Sequence, residues 1–208
     1  MSHSNWQEPN QSVPLRCWPN LVDDALAHLP PQHRPRSFWY ARLALMRALL
    51  RWTGVRVMLL HRLAHTARGR LGFPGRVIAA VLTWILRHFY ACTISPRARL
   101  YGGLVLPHPF GIVIGPKVTV GPRAWIFQNV TLGGVPGKEG MPWVGADARL
   151  FTGAFLGGPI RIGDNVFIAA NTVVSSDVPS RTMIRPAEAI WSELPDRYVV
   201  RSEPRRDD

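Results

Sequence analysis

From Ile94 onward one aliphatic residue returns at every sixth position: Ile94, Leu100 and Leu106, then Ile114, Val120, Ile126 and Leu132, then Val144, Leu150, Leu156, Ile162, Ile168 and Val174. A second column, four residues further on, holds small or apolar side chains: Val118, Ala124, Val130, Ala148, Ala154, Ile160, Val166, Thr172 and Val178. Six residues are too few for a helical hairpin, but they suffice for one short strand and one turn of a triangular coil. The aliphatic column then faces inward and stacks coil on coil into a continuous core. The predicted fold is mainly β, a parallel β-helix or hexapeptide solenoid over residues 91–187.

Two breaks interrupt the period. Leu106 and Ile114 are eight apart, so the PHPF segment bulges by two residues. Leu132 and Val144 are twelve apart, and Lys138 fills the middle slot within GGVPGKEGMP, which reads as a loop leaving the coil. Interruptions in a regular scaffold are where function tends to be carried. His108 stands in the first.

Ahead of the β-helix, residues 37–90 show aliphatic residues and arginines at helical spacing, broken near Thr53-Gly54 and at LGFPG. Two or three basic amphipathic helices are expected there. Residues 1–36 read as a polar arm, mostly mobile, with a short helix possible over LVDDALAHL, and 188–208 as a C-terminal tail.

Charge changes this picture. The net charge is +12, and no carboxylate occurs between Asp24 and Glu139, whereas thirteen arginines fall from Arg34 to Arg99. An anionic partner is implied, whether acidic lipid, a phosphorylated substrate, a CoA-type cofactor or nucleic acid. The acid-free helices fit peripheral attachment to anionic headgroups; equally, their apolar stripe fits packing onto the rest of the protein with the arginines in water. The most apolar run, Val77 to Leu86, is too short to span a bilayer. With two cysteines, Cys17 and Cys92, in no metal or redox spacing, and a polar start unlike a secretory signal, the expected location is cytoplasmic, at most at the inner face of the membrane. His61 and His65 share a helix face at a spacing that can bind metal. They lack a third ligand nearby, and no metal site is expected.

The stretch LPHPFGIVIG, with QNVTLGG, the hexads and SSDVP, resembles the left-handed β-helix acyltransferases, and within them the serine acetyltransferase branch. The likeness runs from about Ile94 to Ala187. It implies acyl transfer from acetyl-CoA to a hydroxyl, in sites between the subunits of a homotrimer, with His108 as general base. The chemistry asks for such a group, because an alcohol attacks a thioester poorly unless its proton leaves as attack proceeds, and imidazole suits that task at neutral pH. Backbone N–H groups of the Gly133-Gly134 turn are candidates to receive the developing oxyanion. The resemblance further places the pantetheine arm beside Gly134, Thr152 and Ala170, and Lys138 is a candidate for a CoA phosphate.

The pattern also departs from that family. Where serine acetyltransferases carry an aspartate before the catalytic histidine, this chain has Pro107; where their loop carries an Arg-His pair, it has Gly140 and Met141. Serine needs an acid for its ammonium group and a cation for its carboxylate, since either left unpaired in a closed site is costly. A neutral polyol needs neither. The expected acceptor is therefore a carbohydrate hydroxyl, as in the exopolysaccharide and colanic-acid-type acetyltransferases that the chain resembles most in look. Phe110, Trp125 and Trp143 are candidates to stack on the sugar, and Glu139 to orient His108 across a subunit boundary. The alternatives are serine acetylation by a divergent site, and a non-catalytic trimeric scaffold, which the altered block MIRPAEAIW leaves open. A metal-dependent β-helix hydratase needs three histidines where the β-helix has one, and no nucleic-acid motif accompanies the charge.

Overall fold

The computed structural model describes residues 17–29 and 38–186. The expected tail, and the larger part of the expected N-terminal arm, lie outside the described residues.

Each hexad forms a strand of two or three residues, and the strands stack into three parallel sheets that wrap a left-handed β-helix. The first sheet contains Thr93–Ile94, Val113–Ile114, Thr131–Gly133, Phe155–Gly157 and Val173–Val174; the second Arg99–Leu100, Thr119–Val120, Trp143–Val144 and Arg161–Ile162; the third Trp125–Ile126, Arg149–Leu150, Phe167–Ile168 and Met183–Ile184. Residues one coil apart pair eighteen positions on, as Val113 with Thr131 and Trp143 with Arg161, which is three hexads. Coils that contain the first break take twenty residues (Thr93 with Val113), and those that contain the second take twenty-four (Thr131 with Phe155). The extra residues leave the coil at a corner, and the register resumes.

The period-six column is the core: Val120, Ile126, Leu132, Val144, Leu150, Leu156, Ile162 and Ile168 are fully buried, and so are Val118, Ala124, Val130, Ala148 and Ala154 of the second column. The residue before most second-column positions turns the corner. Lys117, Arg123, Asn129, Asp147, Asn165 and Asn171 all hold φ between 54° and 65°, a left-handed conformation that Asn and Asp tolerate best among residues with a Cβ.

Four helices precede the coils: α1 (Cys17–Ala27), α2 (Phe38–Arg51), α3 (Thr53–Arg70) and α4 (Gly72–Tyr90). The breaks fall at Trp52 and Leu71, and Pro74 sits in the first turn of α4, where its missing N–H costs no helical bond. Val57 and Met58 of α3 and Leu86 of α4 are continuous with the β-helix core, so the α3–α4 hairpin closes the open end of the first coil. Leu21 and Ala25 of α1, Leu45 and Ala48 of α2 and Val55 of α3 form a second, smaller core.

The segment expected to be a mobile arm thus carries a docked helix, held by a buried ion pair. Arg62 of α3 donates from Nε and Nη2 to the two carboxylate oxygens of Asp24 (2.7 and 2.9 Å), and to the carbonyls of Leu100 and Tyr101 (both 2.9 Å). The Leu104 amide donates to Asp24 at 2.9 Å. Burial pushes the Asp24 carboxyl above its ordinary range, against the pull of Arg62 and the Leu104 amide. Five hydrogen bonds therefore join α1, α3 and the first coil at one point.

Asp24→Ala is expected to cost about 3–5 kcal/mol in denaturant unfolding, because it strands the Arg62 charge in the interior. The pair replacement Asp24→Leu with Arg62→Met is expected to recover most of that loss.

His61, packed beside this pair, is held well below its ordinary pKa by burial, with Arg62 and His65 pushing the same way. Burial also lowers His28 and His65. An unfolded histidine titrates near 6.5, at about its peptide value, so the unfolded chain takes up protons first on acidification. Stability from these groups is complete above roughly pH 6.5 and falls progressively below it. Melting temperature is expected to drop between about pH 7.5 and 5.5, and to drop less in His61→Leu.

Candidate active site

His108 lies on the two-residue bulge at the corner between the third and first sheets, and its side chain is exposed. The bulge is tied down through its backbone. Phe110 N–H donates to the His108 carbonyl (2.8 Å), Gly111 N–H to the Ala91 carbonyl (3.1 Å), Asn129 N–H to the Phe110 carbonyl (2.9 Å), and the buried Cys92 thiol to the Pro109 carbonyl (3.3 Å). A short proline-flanked bulge with four such bonds has little backbone freedom, so the Cα of His108 is fixed in place.

The surface beside His108 is a cavity of about 540 Å³ walled on one side by the β-helix (Val105, Pro107, Phe110, Trp125) and on the other by the helices. The helical wall consists of Ala27 and His28 at the end of α1 and Arg51, Trp52 and Thr53 at the α2–α3 junction. Gly54 makes this approach possible: a Cβ there would run into the Leu106 carbonyl oxygen. His28 stacks on Trp52 with ring centroids 5.2 Å apart. Its Nδ1–H donates to the Asp24 carbonyl (2.8 Å), which leaves Nε2 as an acceptor with no protein partner among the described residues.

Of the residues singled out from sequence, the cavity brings together His108, Phe110 and Trp125. Thr152 and Ala170 lie further along the same corner, one coil and two coils beyond Gln128, linked by the amides of Gly153 to the Gln128 carbonyl (3.1 Å) and of Asn171 to the Thr152 carbonyl (2.8 Å). Gly133 is on the first sheet, where its carbonyl accepts from the Gly158 amide (3.0 Å), and Gly134 follows it against Met141. Lys138 and Glu139 are exposed on the second-break loop, and Trp143 is on the second sheet. None of Lys138, Glu139 and Trp143 lines the cavity of its own chain.

Sequence reasoning missed His28, Arg51, Trp52 and Thr53. Their one signal is the helix break itself, an aromatic residue and a threonine followed by the glycine that lets the junction touch the first coil. It also missed Gln128, whose Oε1 is buried without a protein partner among the described residues, one residue before Asn129, which bonds the bulge. His61 and His65, with ring centroids 6.1 Å apart, lie elsewhere; His65 Nδ1–H donates to the Pro96 carbonyl (3.0 Å).

The chain has relatives among known proteins. A serine acetyltransferase of Helicobacter pylori strain J99 is 35% identical over 143 residues, covering 68% of this chain and 82% of the relative. The chain belongs to the serine acetyltransferase family. Crystal structures agree: Neisseria gonorrhoeae serine acetyltransferase in complex with serine superposes with a TM-score of 0.68 at 30% identity, over 82% of this chain and 67% of that one. A serine acetyltransferase in complex with CoA gives a TM-score of 0.66 at 25% identity, over 83% and 68%. No protein-family model matches the chain. As a serine acetyltransferase family member the chain is an O-acetyltransferase. These relatives are serine acetyltransferases rather than exopolysaccharide acetyltransferases, so the expected likeness to the latter is not carried at the family level.

Gly54→Ala is expected to push the α2–α3 junction off the His108 coil. Acetyltransferase kcat/KM should fall about 10–100-fold, the scale of a misplaced site wall, with a smaller change in melting temperature than Asp24→Ala produces.

Proposed function

We propose that the chain transfers the acetyl group of acetyl-CoA to the hydroxyl of L-serine, with His108 as general base, in a homotrimer. The observation that carries this reading is the cavity in which His108 faces the helical junction. Arg51, at its rim, supplies a cation for an acceptor carboxylate in place of the Arg-His pair that the loop lacks. Serine is also the acceptor named for the relatives, and a CoA complex is known among the similar structures.

The step balances simply. His108 takes the hydroxyl proton as the oxygen bonds to the thioester carbon; the tetrahedral intermediate collapses with loss of the sulfur, and the imidazolium returns its proton to the departing CoA thiolate. The intermediate carries an oxyanion, and amides of the Gly133-Gly134 turn, which lies outside the His108 cavity of its own chain, are the groups we assign to it in a neighbouring subunit's site. The small Thr152 and Ala170 leave the corner beyond His108 open for a pantetheine arm. Lys138 and Glu139, exposed on the loop, are the groups we assign to a neighbouring subunit's site, where Glu139 would meet the acceptor's ammonium group.

One observation favours a second acceptor class. The cavity has no carboxylate among its lining residues and three large aromatic ones, Trp52, Phe110 and Trp125, an arrangement that suits a neutral sugar.

Release of free CoA thiol distinguishes the two. With L-serine, wild-type protein is expected to turn over, His108→Ala to lose about 10²–10⁴-fold in kcat, and Arg51→Met to raise KM with little change in kcat. Turnover with sugars but not serine would transfer the assignment to the carbohydrate acceptor. Protein that binds CoA and releases no thiol with either class would overturn both.

A further inference from the structure

Helix α4 has two apolar faces, and the fold uses one of them. Gly75, Ala79 and Leu86 are buried against α3 and the first coil. On the opposite side Phe73, Val77, Val81 and Trp84 follow at spacings of four, four and three residues, one stripe of a helix surface, and are 74%, 50%, 53% and 52% exposed. Phe89, at the end of the helix, is 72% exposed. Large apolar side chains gathered in a stripe, rather than scattered, mark a surface that meets something.

The charges around the stripe identify the class of partner. Arg76 and Arg87, both exposed, flank it, and Arg70 precedes it. No Asp or Glu occurs from Ala25 through Lys138, so neither α4 nor its neighbours α2 and α3 contain an acid to balance these cations. The same face of a second copy would bring arginine against arginine. Anionic phospholipid supplies both missing complements, acyl chains for Phe73, Val77 and Val81 and phosphate for the arginines, while Trp84 is the residue type that prefers the headgroup boundary. None of the described helices is long and apolar enough to cross a membrane, so the geometry is that of a helix lying in the interface.

We propose that the exposed face of α4 is a peripheral binding surface for anionic phospholipid bilayers. It is separate from the His108 cavity, so it stands or falls independently of the acceptor assignment.

Full-length protein is mixed with vesicles of phosphatidylcholine containing about 30% phosphatidylserine, and with pure phosphatidylcholine, in a co-sedimentation assay; the anionic fraction is that of an acidic cytoplasmic leaflet. Binding is expected to the anionic vesicles, to weaken at least tenfold in Val81→Glu with Trp84→Glu and in Arg76→Gln with Arg87→Gln, and to weaken with salt. Acetyltransferase activity of both variants should match wild type, which shows that they fold. Lack of binding by wild-type protein, or binding that ignores both pairs of substitutions, overturns the proposal. So does a fall in oligomeric state of the Val81→Glu, Trp84→Glu variant on analytical ultracentrifugation, because a second copy would then be what covers the face.

Discussion

A strand of two residues cannot hold itself together, and everything in this molecule follows from how that is overcome. Each hexad offers one aliphatic side chain and one small one, and neither is buried until the coil above and the coil below are in place. The core is therefore a column rather than a layer, and its coherence depends on matching positions recurring every eighteen residues. Extra residues are tolerated only where they can leave at a corner without shifting the column, as Val113 and Thr131 show by resuming the eighteen-residue register directly after the twenty-residue coil. The two insertions are thus the places where the chain is free to carry something other than core, and one of them carries His108.

The other half of the cavity is fixed by a different force. Asp24 and Arg62 are both buried, and such a pair gains little over an apolar one, since desolvation offsets much of the attraction. What it supplies is position. Arg62 has donors enough to satisfy Asp24 and two carbonyls of the first coil at once, and a slipped register of α1 or α3 would leave a buried charge without partners. That intolerance is what sets His28, Arg51, Trp52 and Thr53 opposite His108, with Gly54 removing the last steric obstacle. The neutral, buried His61 beside the pair ties the same joint to pH.

How much of this could be read from sequence follows from the range of each interaction. The coils were legible because their signal repeats: period, inward column and both breaks stand in the string of residues, and His108 stands out as the one histidine after His88. The α1 joint was not, because it depends on a single aspartate meeting a single arginine thirty-eight residues later, within a stretch whose composition reads as a polar arm. The loop and Trp143 lie away from the cavity of their own chain for a related reason. In a triangular coil neighbours in sequence belong to different faces, and neighbours in space are eighteen or more residues apart. Trp143, just after the loop, therefore ends on the second sheet, while His108 sits between the third and the first. Phe110 and Trp125 reach the cavity because one adjoins the bulge and the other pairs with Val105 on the coil that carries it.

This division of labour bears on why the chain keeps a serine acetyltransferase frame while lacking that family's charged residues around the acceptor. The bulge that carries His108 is anchored at both ends in the repeat, and the corner of small residues belongs to the repeat itself, where a change of position would disturb the column. The acceptor wall is built from a helix end and a helix junction that no repeat constrains, and from a loop that leaves the coil altogether. A change at such lining positions, Pro107 on the bulge or Arg51 at the helix junction, alters what the cavity can recognise without touching the core. The acceptor wall can therefore change without the coil that carries His108, because the two are held by separate physical devices: hydrophobic stacking for the coils that anchor the His108 bulge, and one ion pair and one glycine contact for the wall that faces it.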